Sequence, residues 1–237
     1  MADRPYTILS CGISLDGYLD AATEDRLVLS NEADLARVDR VRADCDAILV
    51  GAATVRNDNP RLLVRSPELR RQRRLRGLPE TPMKVTMTER ARLDPCSNFF
   101  TTGESEKLVY CARRSAPLAE RRLRDVATVV DGGQPVDPRW MVEDLHARGV
   151  RRLMVEGGGR VHTQFLTADL ADELHLVIAP FFVGTSRAHR FVTDGSFPWN
   201  PGRRAHLAEV RQIGDVVLLC YGLSPRFAPS LPQGSSA

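Results

Sequence analysis

Two rhythms of apolar residues run along the chain and predict strands alternating with helices. Tyr6 to Ser14 is an apolar run that ends at Asp16-Gly17, a strand followed by a turn. Over 31–43, Leu35, Val38 and Val41 recur near helical spacing, with Ser30 or Asn31 as the cap. Residues 47–50 are wholly apolar, as in a short strand buried on both faces. Further strands are predicted at 83–88, 108–111 and 127–130, with a helix at 118–124. The second half repeats the alternation more cleanly. A helix over 138–148 has Pro138 near its first turn and Gly149 at its end. A strand at 152–155, the glycines Gly157-Gly158-Gly159, a helix at 161–168 and a strand at 173–179 follow. Two β-rich runs, 205–213 and 216–222, flank Gly214-Asp215 and predict an antiparallel hairpin.

Strand–helix–strand units closed by a hairpin imply an α/β fold. Its sheet is mixed and mainly parallel, with helices on both faces and the hairpin at the C-terminus. The expected organisation is a single domain over 1–224 with a surface insertion at 66–82. A disordered tail rich in proline and serine is expected over 225–237.

Composition narrows the class. With 43% hydrophobic and 27% charged residues the chain is an ordinary globular one, not a disordered one. Its 237 residues suffice for one well-buried core. No apolar run reaches the roughly 18 residues of a membrane span, and the N-terminus carries no signal-peptide pattern. The expected location is the cytoplasm. The five cysteines are scattered without a CxxC pair, so neither a zinc site nor a disulfide framework is expected. A net charge of +3 does not call for nucleic acid. The local run Arg70, Arg71, Arg73, Arg74 and Arg76 reads as a solvated surface, with phosphate binding as its alternative.

Chemistry concentrates in three segments. In Met154-Val155-Glu156-Gly157-Gly158-Gly159 a buried strand delivers three glycines to the start of a helix. Backbone without Cβ lets a phosphate approach, and helix N–H groups then point at the anion; a tight turn with no ligand is the competing reading. Glu156 stands at the carboxyl end of that strand, where open α/β sheets place ligands. It suits anchoring a ring N–H or moving a proton, or simply stabilising a helix N-terminus. The second segment is Gly51-Ala52-Ala53-Thr54, read as a loop of small residues, followed by Asn57-Asp58-Asn59-Pro60 and the stretch from Arg61 to Arg65. Arg61 and Arg65 on one side of an extended segment suit a phosphate monoester; surface salt bridges are the alternative. The third, Ser14-Leu15-Asp16-Gly17, is by itself only a turn. The five histidines have no metal spacing, and neither GxSxG nor a Walker A sequence occurs. His162 reads as a helix-surface residue, with a place in the site as its alternative.

The three segments occur in order and at compatible distances over about residues 5 to 222. Together with 46–51, 54–65 and 170–184, they resemble the reductase domain of the riboflavin-biosynthesis deaminase/reductase, within the dihydrofolate-reductase-like superfamily. The resemblance implies NADPH as hydride donor and reduction of a ribosylamino-pyrimidine 5′-phosphate, of the 5-amino-6-(5-phosphoribosylamino)uracil kind, to the ribitylamino product. It also implies a homodimer. By matching position it implies that Gly51 and Thr54, with Gly157, Gly158 and Gly159, hold the dinucleotide. Arg90 and Arg92 fall where the adenosine 2′-phosphate is met. Arg42 and Arg65 contact the substrate phosphate or sugar, with Asp16 and Asn59 in the same substrate set. Asp58 and Glu156 line the substrate side, and either is a candidate acid for opening the sugar.

Two positions depart from the family. Ser10 stands where lysine is usual, and Asn59 where a second acid precedes proline. Loss of a cation and an anion together reads as compensation, or as a different substrate. The zinc-deaminase patterns HxE and PCxxC do not occur in these residues, so a standalone reductase is expected. The alternatives are a reductase of a related pterin or other pyrimidine in secondary metabolism, and a non-catalytic nucleotide or nucleic-acid binding protein.

Overall fold

The computed structural model describes residues 3–21 and 27–228. The elements in chain order are β1 (Tyr6–Ser14), α1 (Glu32–Ala43), β2 (Ala47–Gly51), α2 (Ala52–Asp58), α3 (Pro67–Leu75), β3 (Met83–Thr88), α4 (Asn98–Thr101) and β4 (Lys107–Cys111). They continue with α5 (Ala116–Leu123), β5 (Thr128–Asp131), α6 (Pro138–Ala147), β6 (Arg152–Val155), α7 (Gly159–Thr167), β7 (Glu173–Ala179), β8 (His206–Ile213) and β9 (Val216–Gly222).

Nine strands form one sheet in the order β5-β4-β3-β2-β6-β1-β7-β9-β8. The seven strands from β5 to β7 are parallel, and β9 and β8 close the sheet as the expected antiparallel hairpin. Every residue of β2 is buried, because helices cover both its faces. The period-two alternation of strand side chains then splits the core in two. Leu49, Leu153 and Val155 pack with Met141, Leu145, Val161 and Phe165 from α6 and α7. Ile48, Val50 and Met154 pack on the opposite face with Val55, Ala119 and Leu123 from α2 and α5. Full burial of one such side chain stabilises by about 1.5–3 kcal/mol.

Helix ends follow local chemistry. Asn31, not Ser30, caps α1, its Oδ1 accepting from the Asp34 N–H at 3.0 Å. Ser30 instead donates to the Asp34 carboxylate at 2.6 Å. After α6, Gly149 takes φ +94°, as a helix-ending glycine does.

Two segments differ from expectation. Gly51 to Thr54, read as a loop of small residues, are instead the end of β2 and the first turn of α2. The helix is too short for an apolar period to be visible, and Ala52 and Val55 alone bury its inner face. The insertion at 66–82 carries α3, which Ser66 caps by accepting from the Leu69 N–H at 3.3 Å. Arg73 within it is only 1% exposed. Its Nη1 donates to the carbonyls of Ala43 and Cys45, both at 2.8 Å, so this guanidinium closes the C-terminal end of α1 rather than facing solvent. The others in the run meet carboxylates: Arg71 with Glu68, Arg70 and Arg74 with Glu80, and Arg76 with Asp44. A patch neutralised in this way is a poor match for a nucleic-acid backbone.

At the C-terminus, Ser224 and Arg226 bond to the fully buried Asp172, at 2.6 and 3.3 Å, so 225–228 begin by packing on the domain. The rest of the expected tail, 229–237, lies outside the described residues. No helix among the described residues is long and apolar enough to cross a membrane.

Candidate functional site

The parallel strands present their carboxyl ends on one side, and the chemistry gathers there. β2 and β6 are neighbours, so the segments leaving them are adjacent although about a hundred residues separate them in sequence. The Gly51 N–H donates to the Gly157 carbonyl at 2.8 Å, and the Glu156 N–H to the Leu49 carbonyl at 2.9 Å. One turn into α2, Thr54 reaches across: a Cβ built on Gly158 would stand 3.4 Å from its Oγ1. Gly51 itself is held close to α7, where a Cβ would meet Val161 Cγ2 at 2.9 Å.

The three glycines do different work. Gly157 has φ +112°, a backbone conformation that side chains resist, and a Cβ there would lie 2.9 Å from His162 Nε2. Gly159 is covered: a Cβ would stand 2.3 Å from the carbonyl oxygen of Arg190. Its lack of a side chain lets the 190–191 segment pack down. Gly158 faces Thr54 and caps α7 without a side-chain hydrogen bond. The N-terminus of α7 therefore carries its partial positive charge with no side chain of its own answering it, which suits an anionic group such as a pyrophosphate.

His162 was expected on a helix surface. It is fully buried, and among the described residues neither ring nitrogen has a partner. Burial lowers its pKa from 6.5 to about 4, so the imidazole is neutral at pH 7. It lies behind the glycine turn, 5.3 Å from the Phe191 ring. Its i+5 spacing from Gly157 was the signal in the sequence, legible only once the turn direction is known.

Glu156 and Arg42 meet. Arg42 Nε and Nη2 donate to the two Glu156 carboxylate oxygens, each at 2.6 Å. Burial works against the charge on Arg42, and the Glu156 carboxylate outweighs it, raising the guanidinium above its ordinary pKa. Arg42 Nη1 also donates to the Leu63 carbonyl at 3.2 Å. The two residues therefore act as one unit.

The segment after α2 is not extended, because Asn59 and Leu62 take φ of +43° and +48°. Arg61 and Arg65 thus do not share a side by strand alternation; both are exposed. Asp58 ends α2 and is exposed. Asn59 is the left-handed residue that terminates α2, and its Oδ1 accepts from the Asn98 N–H at 2.7 Å. Asparagine tolerates that conformation better than most residues.

Asp16 is also committed locally. Its carboxylate accepts from Ser14 Oγ at 2.5 Å and from the N–H groups of Val183 and Gly184 at 3.0 and 2.7 Å. Those bonds, with Ser14 foremost, hold its pKa down at about 2. Asp16 thereby ties the loop after β7 to the end of β1. Arg90 and Arg92 are exposed just beyond β3, on either side of the buried Ala91. Arg56 of α2 donates to the Arg92 carbonyl at 3.3 Å, which brings a third guanidinium to that corner.

A depression of about 370 Å³ beside α1 is lined by Leu35, Asp39 and Arg65. Another, of about 280 Å³, lies around Arg4 and Arg203, next to the N-terminal segment. Both of those arginines are already paired, with Asp172 and Asp169, so the second depression has little claim on an anion. The chemical logic stays with the glycine turns: an anion-seeking helix end, a hydroxyl, and a carboxylate–guanidinium unit one residue away. Such groups bind and orient.

The model of the RibD C-terminal domain matches residues 5–219. A 2,5-diamino-6-ribosylamino-4(3H)-pyrimidinone 5′-phosphate reductase of Archaeoglobus fulgidus is 37% identical over 214 residues, 90% of this chain and 95% of that protein. Its namesake in Methanothermobacter thermautotrophicus is 38% identical over 196 residues, 81% of this chain and 85% of that protein. Among solved structures, a pyrimidine reductase-like protein from Corynebacterium diphtheriae has the same fold, with a TM-score of 0.76 at 23% identity over 92% of this chain and 91% of its own. The chain belongs to the RibD C-terminal domain family.

Proposed function

We propose that this protein is an NADPH-dependent reductase of a ribosylamino-pyrimidine 5′-phosphate, acting as a homodimer in riboflavin biosynthesis. The observation that carries the reading is the meeting of Thr54 with Gly158 at the uncapped start of α7, beside the Arg42–Glu156 pair. The relatives at 37% and 38% identity are named for the 2,5-diamino pyrimidinone, so that pyrimidine takes precedence over the uracil form.

When bound, the nicotinamide supplies the hydride. The chain's own residues do the rest. Gly158 and the first N–H groups of α7 hold the pyrophosphate, and Thr54 donates a hydrogen bond beside it. Arg90 and Arg92 hold the 2′-phosphate. The sugar must open to an imine-like form before its C1′ carbon accepts a hydride. Both Glu156 oxygens already accept from Arg42, so Glu156 orients sugar hydroxyls through its remaining lone pairs. Asp58 is the acid assigned to ring opening, and Arg65 the phosphate contact.

The homodimer draws support from β8. It is one of the two outer strands of the sheet, and Leu207 and Val210 on it are 48% and 60% exposed. An outer strand with open backbone groups and apolar side chains favours pairing with a second copy.

Purified protein incubated with NADPH and the 2,5-diamino-6-ribosylamino-pyrimidinone phosphate tests the reading. Stoichiometric cofactor oxidation and formation of the ribitylamino product are expected. Binding of NADPH without turnover of either the diamino or the uracil substrate overturns it.

A further inference from the structure

α1 grips the 63–66 segment at two points one helical turn apart. Arg42 donates to the Leu63 carbonyl at 3.2 Å. Asp39, three residues earlier on the helix, is only 4% exposed. Its Oδ1 accepts from the Arg65 N–H at 2.6 Å, and its Oδ2 from the Ser66 N–H at 2.8 Å. A buried carboxylate that uses both oxygens on consecutive backbone N–H groups fixes the orientation of that peptide. The segment needs such fixing, because the left-handed Leu62 just before it denies it regular backbone pairing.

We infer that Asp39 is a positioning residue for substrate: by clamping the Arg65 backbone against α1, it sets where the Arg65 guanidinium meets the substrate phosphate. The inference rests on the proposed contact between Arg65 and that phosphate. With the backbone of Arg65 fixed, only its side-chain torsions remain to be ordered when the phosphate arrives, which lowers the cost of binding. Asp39 touches neither substrate nor cofactor in this scheme, so its effect appears in binding of the phosphorylated end and not in the chemical step.

The test compares KM for the ribosylamino-pyrimidine 5′-phosphate with KM for its dephosphorylated analogue, in the wild type, Asp39→Asn, Arg65→Ala and the double variant. The asparagine turns an N–H donor toward a backbone N–H and breaks one half of the clamp. In Asp39→Asn, KM for the phosphorylated substrate is expected to rise about tenfold, with kcat and the dephosphorylated KM unchanged. In the Arg65→Ala background the same substitution adds nothing. A rise shared by both substrates, or one that persists without Arg65, makes Asp39 merely structural and overturns the inference. If Arg65→Ala discriminates between the substrates and Asp39→Asn does not, the inference alone falls. If Arg65→Ala does not discriminate, the phosphate contact falls and the inference with it. Asp39→Glu, which displaces both oxygens by one methylene, carries the same comparison if the asparagine variant proves unstable.

Discussion

Arg42 and Glu156, 114 residues apart in sequence, form a two-bond pair at 2.6 Å across the interface between α1 and the end of β6. Their side chains are 12% and 15% exposed. Removing one partner leaves the other charge largely buried without its counter-charge. Arg42→Ala is expected to destabilise the fold by about 3 kcal/mol and to abolish turnover. Replacing both, as Arg42→Met with Glu156→Leu, recovers most of the stability and none of the activity. Urea unfolding and steady-state assays on the three variants check this. Equal stability loss in the single and double variants would contradict the pairing.

The glycines of the 157–159 turn separate by function. Gly158→Ala places a methyl beside Thr54 in the space assigned to the cofactor. It is expected to raise KM for NADPH roughly tenfold. Gly157→Ala strains a positive φ and presses on His162, costing about 2 kcal/mol. Gly159→Ala drives Cβ into the backbone of Arg190 and is expected to be the least stable of the three. Melting curves rank Gly157→Ala and Gly159→Ala, and an unchanged KM for NADPH in Gly158→Ala would refute its assignment.

Arg90 and Arg92 offer a test of the nucleotide that is independent of the reaction. The double alanine variant is expected to bind NADPH about tenfold more weakly and NADH as before. Calorimetric titration with the two nucleotides reads the difference. An equal loss for both would remove these arginines from the 2′-phosphate.

The buried imidazole of His162 makes stability depend on pH. Its pKa is lowered from 6.5 to about 4 in the folded protein, so the unfolded chain binds the proton more readily. The stabilising effect of keeping it neutral is complete above about pH 6.5 and fades as pH falls toward about 4. The full span corresponds to about 3 kcal/mol. His162→Leu is expected to flatten the slope of unfolding free energy between those pH values, whatever it does to absolute stability. An unchanged slope in denaturant titrations would exclude His162 as its source.

Much of the fold is legible in the chain alone. Strands β3, β6, β7 and β9 lie where the apolar runs put them, because burial on a sheet imposes a period that neighbours in sequence already display. The two glycine-bearing turns are visible for the same local reason: a strand must end, and small residues mark the end. α2 and α3 are less visible. One is too short to show a period, and the other carries its only buried cation, Arg73, inside a run that resembles a solvated surface.

The pairings at the site belong to the tertiary structure. Strand-end patterns alone put Gly51, Thr54, Glu156 and Gly158 at separate strand ends; only the family resemblance grouped Gly51, Thr54 and the glycines around one dinucleotide. Only the sheet order, with β2 next to β6, brings Thr54 to Gly158. Only the packing of α1 over those strands joins Arg42 to Glu156 and Asp39 to the Arg65 backbone. Local patterns report which side of an element is buried; which charge neutralises which is decided by where distant elements cross, and that is set by topology and side-chain reach.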